Sequence, residues 1–224
     1  MVDSPENPKS PPQSKNGLVE KYDEKKGFLT QKSIYKNDKL DGLSQYFYEN
    51  SKIHKEINFK AGELHGPYRQ YDPDGHLEID QAYQDGTLSG PSKLYKKGIL
   101  LLETNYVAGL QDGETKIYFP NGKDVNCVIA MKEGKKHGEM KVFTPTGTLI
   151  KKSMYQMDLL QGDSYSYYPD TGAMAACEKY QDDKLQGDSV KYYPNGVISE
   201  ITTFDQGKPI RKPRKFKPSG AEAA

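Results

Sequence analysis

Eight glycines in one register constrain this chain more than any other feature. Gly17, Gly42, Gly66, Gly90, Gly113, Gly138, Gly162 and Gly187 fall 25, 24, 24, 23, 25, 24 and 25 residues apart. A fixed period of that size marks a repeat architecture, in which each unit buries itself against its neighbours. Five residues after each glycine stands an aromatic: Tyr22, Phe47, Tyr71, Tyr95, Tyr118, Phe143, Tyr167 and Tyr192. A turn signal follows, as in "PDG" at 73–75, "PNG" at 120–122 and "PTG" at 145–147; Pro presets φ there and Gly accepts φ > 0. The third repeat shortens this turn to "KKG" and the sixth lengthens it to "PDTG".

A second turn closes each unit and opens the next, from "YKNDKLDG" at 35–42 to "YQDDKLQG" at 180–187, with "FDQGKPI" at 204–210 as a last truncated copy. Each unit thus reads as strand, turn, strand, turn: a β-hairpin. The predicted fold is all-β, an elongated single-layer antiparallel sheet of seven to eight stacked hairpins, on the order of 75 Å long at the usual strand spacing. Composition agrees. Only 34% of residues are apolar, Trp is missing and 17 residues are Tyr, too little for the thick core of a layered enzyme.

The repeat domain is expected over 17–210. Residues 1–16, with four Pro and almost nothing apolar, read as a disordered N-terminal arm. Residues 211–224, rich in Lys, Arg and Pro, read as a disordered basic tail. Lys plus Arg (32) balances Asp plus Glu (31), so overall charge predicts no nucleic-acid partner. The start has no basic and then apolar leader, and no run approaches a membrane span, which leads to the expectation of a soluble, cytoplasmic protein.

The unit resembles the MORN repeat, and more closely the MORN variant of bacterial YwqK-family antitoxins. "YQDDKLQGDSVKYYPNG" (180–196), "FKAGELHGPYRQYDPDG" (59–75) and "YVAGLQDGETKIYFPNG" (106–122) carry the resemblance. It covers roughly residues 17–210. It implies a sheet of successive hairpins, and either the neutralising of a partner toxin or a scaffold or membrane-associated role. Asp38, Asp158 and Asp183 depart from the pattern by replacing the first turn Gly, and Ser51 by replacing the hairpin Gly; Asp is well suited to stand in for Gly in a turn.

No catalytic set can be assembled. His65 and His137 precede Gly66 and Gly138, where other units carry Asp, Ser or Gln, and so read as polar turn residues. No P-loop, metal-binding spacing or nucleophile elbow occurs. The expectation is a non-enzyme with no cofactor and no metal. Cys127 and Cys177 each lie five residues after a hairpin Gly, equivalent positions too far apart for a disulfide.

Two rows are informative. Three residues after the cluster Gly stand Arg69, Lys93, Lys116 and Lys141, on the same face as the rings Tyr71, Tyr95, Tyr118 and Phe143. This basic stripe either receives an acidic partner or merely covers the rings with its stems, with Glu114 and Glu139 as counter-charges. On the opposite face Tyr46, Leu94, Ile117 and Val142 form an apolar row, either covered by twist and the N-terminal arm or open to a partner. The basic stripe, its rings and Leu94, Ile117 and Val142 are the candidate partner-binding set. The function expected is a protein-binding module, an antitoxin or immunity protein that neutralises a cognate toxin or effector by occlusion; the alternative is a scaffold or peripheral membrane protein whose basic tail touches anionic lipid.

Overall fold

A computed structural model of the chain describes residues 14–223. Among them are strands and turns and no helix, so no helix is long and apolar enough to cross a membrane. The strands Gly17–Tyr22, Leu29–Lys36, Lys39–Phe47, Ile53–Lys60, Glu63–Tyr71 and Leu77–Gln84 begin one open antiparallel sheet that continues to Ile198–Asp205 and Arg214–Lys215. Chain order is spatial order, because every strand pairs with the one before and the one after it. Three strands are interrupted: Leu110–Gln111 with Gly113–Tyr118, Lys184–Leu185 with Gly187–Tyr192, and Lys208–Pro209 with Arg214–Lys215 each pair as two halves to one neighbour.

The turns between units show why the chain reverses tightly. Both central residues have φ > 0, as at Ala61 (52°) with Gly62 (94°) and Asp85 (48°) with Gly86 (76°), the geometry whose twist matches that of the strands it joins. Each turn also bonds to the preceding unit: Gly62 N–H donates to the Leu40 carbonyl, Gly86 to Leu64 and Gly207 to Leu185. Asp38, Asp158 and Asp183 keep this bond and add another. Their carboxylates accept from the N–H groups of Lys15, Lys136 and Leu160 at 2.6, 2.8 and 2.7 Å. Asp therefore offsets the strain of φ > 0 with a bond that Gly cannot make.

From Gly42 onward, each cluster Gly sits at a slip in pairing. Ser33 faces Ser44 while Tyr35 faces Leu40, so residues 41–43 oppose Ile34 alone. This bulge puts Gly42 at φ 116° and Gly138 at φ 108°, where an L side chain is strained. At Gly138 a Cβ would also lie 3.0 Å from that of Ala130. A second slip, of one residue, precedes each aromatic, as between Tyr46–Lys55 and Phe47–Ile53.

Two expectations change. The two Cys are not equivalent: Cys127 pairs with Ile117 and Val142, Cys177 with Tyr165 and Val190, which places them on opposite faces. The cause is an added residue, Asp124, in the turn of the fourth unit, which flips the following strand. Both thiols are free.

The basic tail continues the sheet instead of leaving it at 210. Arg214–Lys215 pairs with Ile201 and Glu200, Lys217–Gly220 forms the same turn as Tyr193–Gly196, and the Tyr193 hydroxyl donates to the Phe216 carbonyl as Tyr168 donates to Tyr192. Gly220 follows Gly196 by one period, a copy hidden because Arg211 stands at the cluster-Gly position. The arm lies outside the described residues up to Gln13; Lys15 and Asn16 bond to Asp38 and Asn37.

The turn with Ser51 forms like the others: Ser51 N–H donates to Tyr48, and Ser51 takes φ 64°.

Candidate functional site

Cross-strand pairs sort the side chains into two faces. On the first, small hydroxyls recur along one line across the sheet, interrupted by Ile57, Tyr68 and Gln81, by Ile129 and Met140, and by Glu178: Ser33, Ser44, Ser92, Thr104, Thr115, Ser153, Ser164, Ser189 and Thr202 are all buried. They sit between larger neighbours in their own strands, as Thr104 sits between Leu102 and Tyr106. Burial demands partners, and the row supplies most of them: Thr104 and Thr115 hydroxyls meet at 2.6 Å, Ser153 and Ser164 at 2.8 Å, and Gln81 donates to Ser92 at 3.1 Å, whereas the Ser44 hydroxyl has none among the described residues. Sequence reading missed this row, although its signal was present two residues after most cluster glycines.

Beside the hydroxyls, on the same face, runs an apolar row. Ile79 faces Leu94, Leu94 faces Leu102, Leu102 faces Ile117, Ile117 faces Cys127 and Cys127 faces Val142. Six neighbouring strands thus contribute six apolar residues without a break. Leu94 and Ile117 remain 38% and 36% exposed. The expected Leu94, Ile117 and Val142 fall in this row; Ile79, Leu102 and Cys127, from the return strands, complete it. Cys127 belongs only because Asp124 flips its strand.

The second face holds Arg69, Lys93, Lys116 and Lys141 together with the rings Tyr71, Tyr95, Tyr118 and Phe143. The stripe is not purely basic. Glu56 faces Arg69, Arg69 faces Asp80, Asp80 faces Lys93, Lys93 faces Glu103 and Glu103 faces Lys116. Return strands interleave acids that forward-strand spacing could not reveal. Arg69 pairs with Asp80 at 3.3 Å and Lys93 with Glu103 at 3.2 Å. Tyr71 and Tyr118 hydroxyls donate to Glu56 and Glu103, both at 3.0 Å, which fixes the rings on this face.

Burial works against ionisation of Glu103, yet hydrogen bonds from Tyr118 and Lys93 and the charges of Lys93 and Lys116 hold its carboxyl below the ordinary range. Lys93 is raised by its bond to Glu103 and by that carboxylate's charge. Farther on, hydrogen bonds from Lys141 and Lys152 bring Glu139 down to about 2. Past Lys152 the row turns apolar: Tyr165, Cys177, Val190 and Ile201 face one another in turn.

Several of the residues before the cluster glycines behave as polar caps, though His137 Nδ1 is buried without a partner among the described residues. Asp41 and Gln186 accept from Ala61 and Gln206 backbone N–H groups, and His65 Nδ1 lies 3.2 Å from Asp85. One group among the described residues brings three ligand-type side chains together, Asp72, Asp74 and His76. Its geometry is that of the turn itself: Asp72 Oδ1 accepts from the Asp74 and His76 N–H groups, and Oδ2 lies 3.1 Å from His76 Nδ1.

A one-layer sheet of stacked hairpins, with its chemistry spread along two open faces, defines a hairpin-repeat surface protein. Its units match the model of the MORN repeat variant over residues 40–61, 64–85, 111–123, 136–157 and 185–206. The chain thus carries MORN-variant repeats over these stretches, and repeats of this kind suggest a module for binding protein or lipid. The unmatched hairpins are the third and sixth, whose turns differ in length, and the match to the fourth unit stops at Lys123, just before the added Asp124. No curated protein matches the chain.

Proposed function

We propose that the chain is a cytoplasmic antitoxin or immunity protein that neutralises a cognate toxin by laying its sheet over the toxin's active site or substrate path. The observation that carries this reading is the unbroken apolar row on a sheet that, among the described residues, has no second layer to cover it. Such a row at the centre of an extended surface is the kind of anchor on which binding energy concentrates, while the charged ladder of the other face favours orientation over affinity. Co-expression tests it. The product of the neighbouring gene alone should arrest growth, and this chain should restore growth and co-purify with that product. Failure of both overturns the reading.

A second reading rests on the C-terminal edge. Lys208, Arg211, Lys212, Lys215 and Lys217 are exposed there, whereas Arg214 is held by Glu222 at 2.9 Å. Five such cations would hold an anionic bilayer at roughly 1 kcal/mol each near the surface. Salt-sensitive sedimentation with anionic vesicles, lost on removing residues 211–224, is the expected result; binding that survives the truncation sinks the idea.

A further inference from the structure

We propose that the apolar row from Ile79 to Val142 is the seat of an amphipathic α-helix from a protein partner, one that carries acidic residues near both ends. This rests on the binding-module reading and specifies the face, the secondary structure and the charge of the occupant.

Three observations select that occupant. First, the row crosses the strands at right angles and spans about 24 Å, five strand spacings. A segment lying along it cannot join the hydrogen-bond ladder, since every strand beneath already pairs on both sides. An extended segment would press its own N–H and C=O groups onto apolar side chains with nothing to bond, a cost that a helix avoids by bonding within itself. At 1.5 Å per residue, about 16 residues of helix cover the row.

Second, the same line of facing residues continues beyond the apolar stretch to a lysine at each end. On one side Ile79 faces Gln70 and Gln70 faces Lys55; on the other Val142 faces Lys151. Neither lysine forms an ion pair among the described residues. In contrast, Arg69, Lys93, Lys141 and Lys152 on the other face are all paired. The two lysines lie about 38 Å apart by strand spacing, so a helix of about 25 residues sets its terminal turns over them. Third, the hydroxyls flanking the row are buried, Thr104 and Thr115 bonded to each other and Ser92 accepting from Gln81, so they offer an occupant no competing hydroxyls.

The probes are four synthetic 25-residue peptides, bound to the full chain and read by fluorescence anisotropy. One is an amphipathic helix former with Glu at both ends; a second has Lys at both ends. The third scrambles the first, and the fourth carries two central Pro. The first should saturate, the second bind at least tenfold more weakly, and the last two show no saturable binding.

Ile117→Asp and Leu94→Asp should abolish binding of the first peptide. Both sites are over one third exposed, and circular dichroism and melting of each variant confirm that the sheet persists. Lys55→Glu with Lys151→Glu, far from any tight packing, should weaken the Glu-ended peptide and strengthen the Lys-ended one. Equal binding of all four peptides, or indifference to both Asp variants, overturns the proposal. So does self-association or anionic-vesicle binding that Ile117→Asp removes, because the row would then belong to a second copy or to lipid. Growth rescue that survives Ile117→Asp overturns this inference alone, whereas peptide binding without growth rescue overturns the antitoxin reading alone.

Discussion

The two faces of the sheet, built from alternate residues of the same strands, follow different rules. One face buries the small hydroxyls of Ser33, Ser44, Ser92, Thr104, Thr115, Ser153, Ser164, Ser189 and Thr202, in a line where the half-buried Ile57, Tyr68, Gln81, Ile129, Met140 and Glu178 also stand. The facing row on the other side changes character from Glu56, Arg69 and Asp80 through Lys141 and Lys152 to Val190 and Ile201, and none of these is buried. A sheet without a second layer has little core, so its tight packing is confined to a seam about one residue wide. Charge pairs elsewhere are exposed, and such pairs contribute only about 0–1 kcal/mol. Burial of small hydroxyls on one face only, more than charge, separates the faces.

Substitutions on adjacent residues sharpen that contrast most. Ser153→Leu forces bulk into the seam, where Ser153 is 1% exposed; an overpacking cost of about 1–3 kcal/mol is expected as a lower melting temperature. Lys152→Leu, one residue away on the other face, loses only its pairing with Glu139 and should change stability by less than about 1 kcal/mol. Equal losses would abolish the distinction between faces.

Somewhat smaller is the effect at the slips. Gly138→Ala and Gly162→Ala both force an L residue to φ > 0, at 108° and 75°, for about 1–2 kcal/mol each. Only Gly138 meets a Cβ at 3.0 Å; nothing lies within 4 Å at Gly162. Gly138→Ala should therefore melt lower, and the reverse order would contradict the bulge geometry. Ser51→Gly runs the other way, raising stability by about 0.5–1 kcal/mol in denaturant unfolding as the strain at φ 64° is relieved.

The smallest effect is electrostatic. Glu139 is held down to about 2 by its bonds to Lys141 and Lys152. Its contribution is thus fully present above the ordinary carboxylate value and fades as pH falls from about 4.5 toward 2. Melting temperature should fall more steeply across that window for the parent chain than for Glu139→Gln, and the difference should shrink at high salt because the group is exposed. Identical slopes at low salt would remove the pairing from the account.

Glycine spacing and turn signals made the hairpin series legible, because backbone geometry demands those residues at those places. Alternation placed Arg69 with Tyr71 and opposite Leu94 for the same reason. The return strands were less legible: their register depends on two slips per unit, and a single added residue, Asp124, moves Cys127 to the opposite face. That is why the acids beside Arg69 and Lys93 went unseen, along with half of the apolar row. The last unit was hidden by composition. Pro and Lys at 208–218 look disordered in isolation, yet Tyr193 and Asn195 of the preceding turn bond to Phe216 and Pro218 and hold them in register.

Ile117 and Lys116 are neighbours in one strand and lie on opposite faces. Binding of the Glu-ended helical peptide to Ile117→Asp and Lys116→Ala chains, measured side by side, puts the functional division of the faces to its most direct test. The account predicts loss of binding for Ile117→Asp and a Kd within about threefold of the parent for Lys116→Ala, an effect below 1 kcal/mol. Loss only in Lys116→Ala, or equal loss in both, would contradict it.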